Sequence, residues 1–179
     1  MKPLKRFTIQ FVGLKEGIHT FKYYLDKTFF EYFDFEDFND LSASIVVSLH
    51  KKTTFLELNF QLSGAINVNC DVSSEAYDQD ISDQFSLVVK FGQKYNDDHE
   101  DILIIPHGTY EINIAQYIYE LIVLAIPSKR IHPGIEDGTL KSDIVAKLRQ
   151  LSPSEAENEQ NSQETDPRWD KLKKLLTDK

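Results

Sequence analysis

The sequence predicts an α+β fold: an antiparallel β-sheet meander, open or barrel-like, covered by one main apolar helix. Between Ser44 and Phe91 apolar residues recur at every second position in successive runs with short connections, the signature of strands that bury one face. Residues 114–126 change to helical spacing, with Tyr117, Ile118, Leu121, Ile122 and Ala125 on one stripe. A chain of 179 residues that is 41% hydrophobic is long and apolar enough for one core.

Taken in order, "FTIQFV" (7–12) and "GIHTFKYY" (17–24) are aromatic and β-branched and read as strands. "LDKTFFEYFDFEDFNDL" sets five phenylalanines among carboxylates, which fits a short helix and loop whose rings anchor the core. "SIVVSLH" and "FLELNFQL" should pair as a hairpin around Lys51 and Lys52. After Gly64 the alternation resumes with Ile66, Val68, Cys70 and Val72 facing inward, and "FSLVVKF" supplies Phe85, Leu87, Val89 and Phe91 to the same side. Asn113 caps the helix, with Gln116 at capping-box spacing, and Pro127 ends it.

Residues 152–166, "SPSEAENEQNSQETD", lack any large apolar side chain and are expected to form a flexible acidic linker. Asp166 and Pro167 then open a short amphipathic basic helix, with Trp169, Leu172 and Leu176 on one side. The expected organisation is a single α+β domain over 1–151, the linker over 152–166 and the helix over 167–179.

The net charge is −9, and sixteen acidic but only four basic residues fall within 31–111. Phosphate binding requires Lys and Arg, so this region is a poor face for nucleic acid, and RNA contact belongs to the basic segments. A DNA partner is not expected. Gln10, Gly13, Lys15 and Glu16 interrupt the apolar stretch after the basic start, and Ile112–Ile126 is too short and polar to span a bilayer. A cytoplasmic chain with no membrane partner is expected.

The seven glycines form no phosphate loop, no G-x-S-x-G or H-E-x-x-H occurs, and the five histidines lie far apart. "NDDHED" (96–101) lacks the glycine turn of a calcium loop and reads as a solvated acidic loop. No catalytic group, metal or cofactor is assigned. A hydrolase needs carboxylates converging in a cleft, and no spacing here is diagnostic of one.

Three blocks together resemble the YceD-like large ribosomal RNA accumulation proteins. They are "GAINVNCDVSSEAY", where many members carry C-x-x-C; "YEINIAQYIYELIVLAIPSKRIHPG", with its polar cap, internal Glu120 and closing "LAIP"; and "DPRWDKLKKLL" after an acidic linker. This chain departs from the pattern at Ser73, which replaces the second cysteine, so Cys70 reads as a small buried hydrophobe and no metal is carried over.

The resemblance implies a non-enzymatic role in large-subunit ribosomal RNA accumulation or ribosome assembly, as an adaptor or chaperone. The partners would be large-subunit RNA precursor, a ribosomal protein or an assembly factor. Candidate partner- or RNA-binding residues are Lys129, Arg130 and His132 after the helix, and Arg168, Trp169, Lys173 and Lys174 in the tail. The tail has an alternative use, docking on its own domain through Trp169. The alternative function is a β-barrel that binds a small hydrophobic ligand, since core and cavity side chains look alike in a sequence.

Overall fold

A computed structural model describes residues 4–140 and 143–151. The chain divides into two compact units, Met1–His132 and Pro133–Lys179. The first begins with a short 3₁₀ turn, Lys5–Phe7, and strand β1 (Thr8–Gln10). There follow β2 (Gly17–Asp26), the four-residue α1 (Lys27–Phe30), β3 (Asp40–Lys51), β4 (Phe55–Asn69) and β5 (Ala76–Gly92). Then come β6 (Asn96–His99), β7 (Ile102–Pro106), β8 (Glu111–Asn113) and α2 (Ala115–Ala125).

Six strands form one sheet in the order β2-β3-β4-β5-β7-β6, and β1 pairs with β8 in a separate two-stranded sheet. From β2 to β5 the sheet is the expected antiparallel meander, with the β3–β4 hairpin turning at Lys52. The meander ends there. β7 lies parallel to β5, Val88 opposite Ile102, because the chain leaves β5, descends through β6 and rises again between them. The sheet is therefore mixed and open, not a barrel. Closure would require β6 to meet β2, and β6 is only four residues long, pairs irregularly with β7 and carries Asp97 and Asp98. A short charged strand is a poor template for further pairing.

β4 is one continuous 15-residue strand, where the sequence suggested separate strands on either side of Gly64. Gly64 stands opposite Ala43 on the inner face, and a Cβ there would lie 2.5 Å from both Ala43 Cα and Ser42 O. Only glycine lets the two strands approach this closely.

Ile45, Val47, Leu49, Leu58, Phe60, Ile66, Val68 and Val89 are fully buried on the inner face. α2 packs on that face through Tyr117, Ile118, Leu121 and Ile122. The Asn113 side chain accepts from Ala115 N–H at 3.0 Å, but the expected cap is displaced by one residue: the N-cap is Ile114, whose side chain makes no cap bond and whose carbonyl accepts from Ile118 N–H. Gln116 does not complete a capping box; its amide donates to Glu120 one turn on, at 2.7 Å. Phe29, Phe30 and Phe38 are buried, while Phe33 stacks on Tyr119 at 4.3 Å.

In the second unit the described residues form α3 (Pro133–Glu136) and α4 (Asp143–Leu151). The sequence reading did not expect α4. The expected linker and terminal helix, 152–179, lie outside the described residues.

Gly64→Val should force β3 and β4 apart and cost about 1–3 kcal/mol, the usual penalty for overpacking. Urea denaturation reads this directly, and an unchanged midpoint would contradict the close approach.

Candidate functional site

The site is built where β4 runs out. The chain turns sharply after Cys70: Ser74 N–H donates to Cys70 O at 2.9 Å, and Cys70 N–H donates to Glu75 O at 2.8 Å. Ser74 takes a left-handed conformation, φ 60°, which costs a non-glycine residue roughly 1–2 kcal/mol. The surrounding bonds must over-determine that turn. Val72, expected inward with Cys70, is only half-buried, because alternation stops where the strand stops.

Cys70 is 2% exposed, and its Sγ accepts three backbone N–H groups: Val72 at 3.4 Å, Ser73 at 3.4 Å and His132 at 3.3 Å. The first two come from its own turn and the third from the segment after α2. Ser73 is also buried, and its hydroxyl oxygen accepts from Glu75 N–H at 3.4 Å. Burial pushes the thiol pKa up, but the bonds from Ser73, His132 and Val72 outweigh it and bring it down to about 7. Cys70 is thus more than a small hydrophobe: its sulfur is the acceptor that ties two distant segments together.

Beside it Asp71 and Arg130 clamp each other. Asp71 N–H donates to Arg130 O at 2.8 Å, and Arg130 N–H donates to Asp71 Oδ2 at 2.7 Å. The Arg130 guanidinium reaches Asp71 Oδ1 at 3.6 Å, and its Nη1 donates to Asp37 O and Oδ2, both at 3.2 Å. An open cavity of about 350 Å³ lies over these groups, lined by Asp37, Asn39, Asn69, Cys70, Asp71 and Arg130. The His132 ring packs on Tyr77, centroids 5.3 Å apart.

The sequence candidates thus occupy different situations. Lys129 is exposed, Arg130 is engaged with Asp37 and Asp71, and His132 offers its backbone to Cys70. Arg168, Trp169, Lys173 and Lys174 lie outside the described residues. Sequence reasoning missed Asp37 and Asp71, since nothing in a linear pattern pairs Asp71 with an arginine 59 positions away. Among the described residues no three His, Cys, Asp or Glu side chains gather in a way that could hold a metal ion. Nor is any described helix long and apolar enough to cross a membrane.

The contact between the Cys70 turn and the segment after α2 joins two of the three sequence blocks. The family model for the large ribosomal RNA subunit accumulation protein YceD matches residues 58–176. The chain belongs to the YceD family. No curated protein and no solved structure matches it. The YceD match begins within β4 and includes both sides of the Cys70–His132 and Asp71–Arg130 contacts. Asp37, which holds the other side of Arg130, precedes the match.

A lowered thiol pKa contributes stability that is complete above the unfolded value near 9 and is lost as pH falls through about 7. The stability difference between the native chain and Cys70→Ala should therefore widen from pH 7 to 9. Denaturant titrations across that window, with ultraviolet thiolate absorbance from the single cysteine, check it. A pH-independent difference would refute the assigned hydrogen bonds.

Proposed function

We propose that this YceD-family protein supports accumulation of large-subunit ribosomal RNA as a non-enzymatic adaptor or chaperone. In this reading its acidic surface holds a basic ribosomal protein or assembly factor, while basic segments touch RNA. The observation that carries the reading is the family match over 58–176, since membership implies a role in large-subunit RNA accumulation.

The charge layout supports the division of labour. On the outer face of the sheet Asp40, Asn67 and Asp78 stand in one cross-strand row, and Asp80 lies in the next row but one along β5. Asn39 donates to Asn67 and Asn69, and Asn67 donates to Asp78, so this end presents fixed acceptors to solvent. Lys51, Lys52 and Lys90 gather at the other end, where Lys51 donates to the carbonyls of Phe11 and Leu14 and Lys52 pairs with Glu57. Fixed acceptors complement lysine-rich protein and repel phosphate.

Exposed Lys129, beside the Asp71–Arg130 clamp, is the first RNA-contact candidate. Arg130 and His132 act through position, fixing the loop that carries it. Arg168, Trp169, Lys173 and Lys174 enter the proposal through their sequence alone, as a basic end that adds RNA or partner contact. The ligand-binding barrel loses its basis because, among the described residues, β2 and β6 are the two edges of an open sheet.

Tagged protein recovered from its native cell at low and moderate salt should enrich large-subunit precursor RNA or large-subunit proteins, read by RNA sequencing and mass spectrometry. Lys129→Glu should reduce the RNA share severalfold and flatten its salt dependence, because one phosphate contact is lost. If neither RNA nor protein of the large subunit is enriched over an untagged control, the adaptor reading fails.

A further inference from the structure

An open groove of about 560 Å³ runs along α2 beside β5. Its apolar lining comes from Phe85, Tyr117, Leu121 and Leu124, and Leu124 is 78% exposed. The floor is held in place. Tyr117 stacks on Phe85, centroids 6.2 Å apart and planes 17° from parallel, and its hydroxyl donates to Asp97 at 3.1 Å. Asp83, Glu100 and Glu120 form the rim, and no Lys, Arg or His is among the described lining residues.

An exposed leucine beside an apolar floor marks a place where a partner side chain can be buried. Three carboxylates around it select against nucleic acid and against anionic lipid, both of which need cations. A second copy of the same groove would bring like charges together. A segment that complements both features has aliphatic or aromatic anchors on one face and Lys or Arg flanking them.

We propose that this groove docks a short basic amphipathic segment of a protein partner, with an apolar anchor against Leu124 and Phe85 and basic side chains at Asp83, Glu100 and Glu120. The proposal rests on the adaptor reading and names the surface through which the partner is held. The chain's own residues 168–176, "RWDKLKKLL", have the same chemistry, so the test must separate partner from tail.

The probe is a fluorescent synthetic peptide with Leu or Trp at every third or fourth position and Lys or Arg between them. A control peptide replaces the cations with Gln, and anisotropy is read against the full chain. The full chain should bind the basic peptide. Leu124→Asp should weaken binding about tenfold or more, the scale expected for loss of an anchor contact. Glu100→Lys with Glu120→Lys should weaken it similarly and flatten the salt dependence.

Equal binding of the Gln peptide, or undiminished binding by Leu124→Asp, would overturn the proposal. So would a full chain that binds nothing while a chain lacking 166–179 binds the peptide, because the occupant would then be the chain's own tail. Recovery from cells separates this from the adaptor reading. If Leu124→Asp recovers large-subunit components as well as the native chain does, the groove is wrong and the adaptor stands; if neither recovers them, the adaptor reading itself fails.

Discussion

Burial of the inner face of β3, β4 and β5 is the constraint on which the rest of the molecule depends. β4 has 15 residues and so extends about 50 Å, whereas the 11-residue α2 is only about 16 Å long. One helix cannot cover that face. The ends must be covered by other apolar groups, and the phenylalanine-rich segment after β2 serves one of them. Phe29 and Phe30 are packed edge to face, 5.4 Å between centroids, and Phe30 meets Phe38 at 4.9 Å. Phe7 joins them through Phe29 at 5.0 Å. The abundance of phenylalanine in a loop thus follows from the mismatch between strand and helix length.

What the sequence disclosed, and what it did not, follows from the range of the interactions involved. Period-two alternation exposed β3, β4 and the second half of β5 because each strand buries one face. The first half of β5, "AYDQDISDQ", has only Tyr77 and Ile81 buried, so its pattern is too sparse to read, though Asn67 and Asp78 stand in register across it. The parallel β5–β7 pairing depends on where the chain re-enters the sheet, which no local pattern encodes. The polar start of α2 was legible because the Asn113 to Ala115 bond spans two residues, but the cap itself falls one residue later, on Ile114; Gln116 had two partners within reach, and its choice of Glu120 was not legible. α4 has Ile144, Val145, Leu148 and Leu151 at helical spacing, but short length and flanking polar residues hid the period.

The Cys70 turn shows how one acceptor gathers several donors. Ser73, three residues on, donates its backbone N–H to Cys70 Sγ at 3.4 Å, and its hydroxyl accepts from Glu75 N–H at 3.4 Å. Backbone N–H groups that would otherwise be buried without partners are satisfied by the sulfur. The lowered thiol pKa follows from the same geometry, because an anion at that position strengthens each of these bonds. At 2% exposure the sulfur is shielded from attack, so its ionisation favours anchoring over chemistry.

Anchoring matters because of what it carries. The Asp71–Arg130 clamp and the Cys70–His132 bond fix the segment after α2 to the end of β4, so Lys129 is presented from a defined position instead of a free loop. Arg130 pairs with Asp37 and Asp71, so any phosphate at its guanidinium would compete with two carboxylates already in place. Lys129 is left exposed, while Asp40 and Asp78 stand at one end of the sheet's outer face and Asp83, Glu100 and Glu120 rim the groove beside α2. In the proposed adaptor reading, a surface divided in this way would hold two chemically different partners at once, since charge that attracts a basic protein repels RNA from the same place.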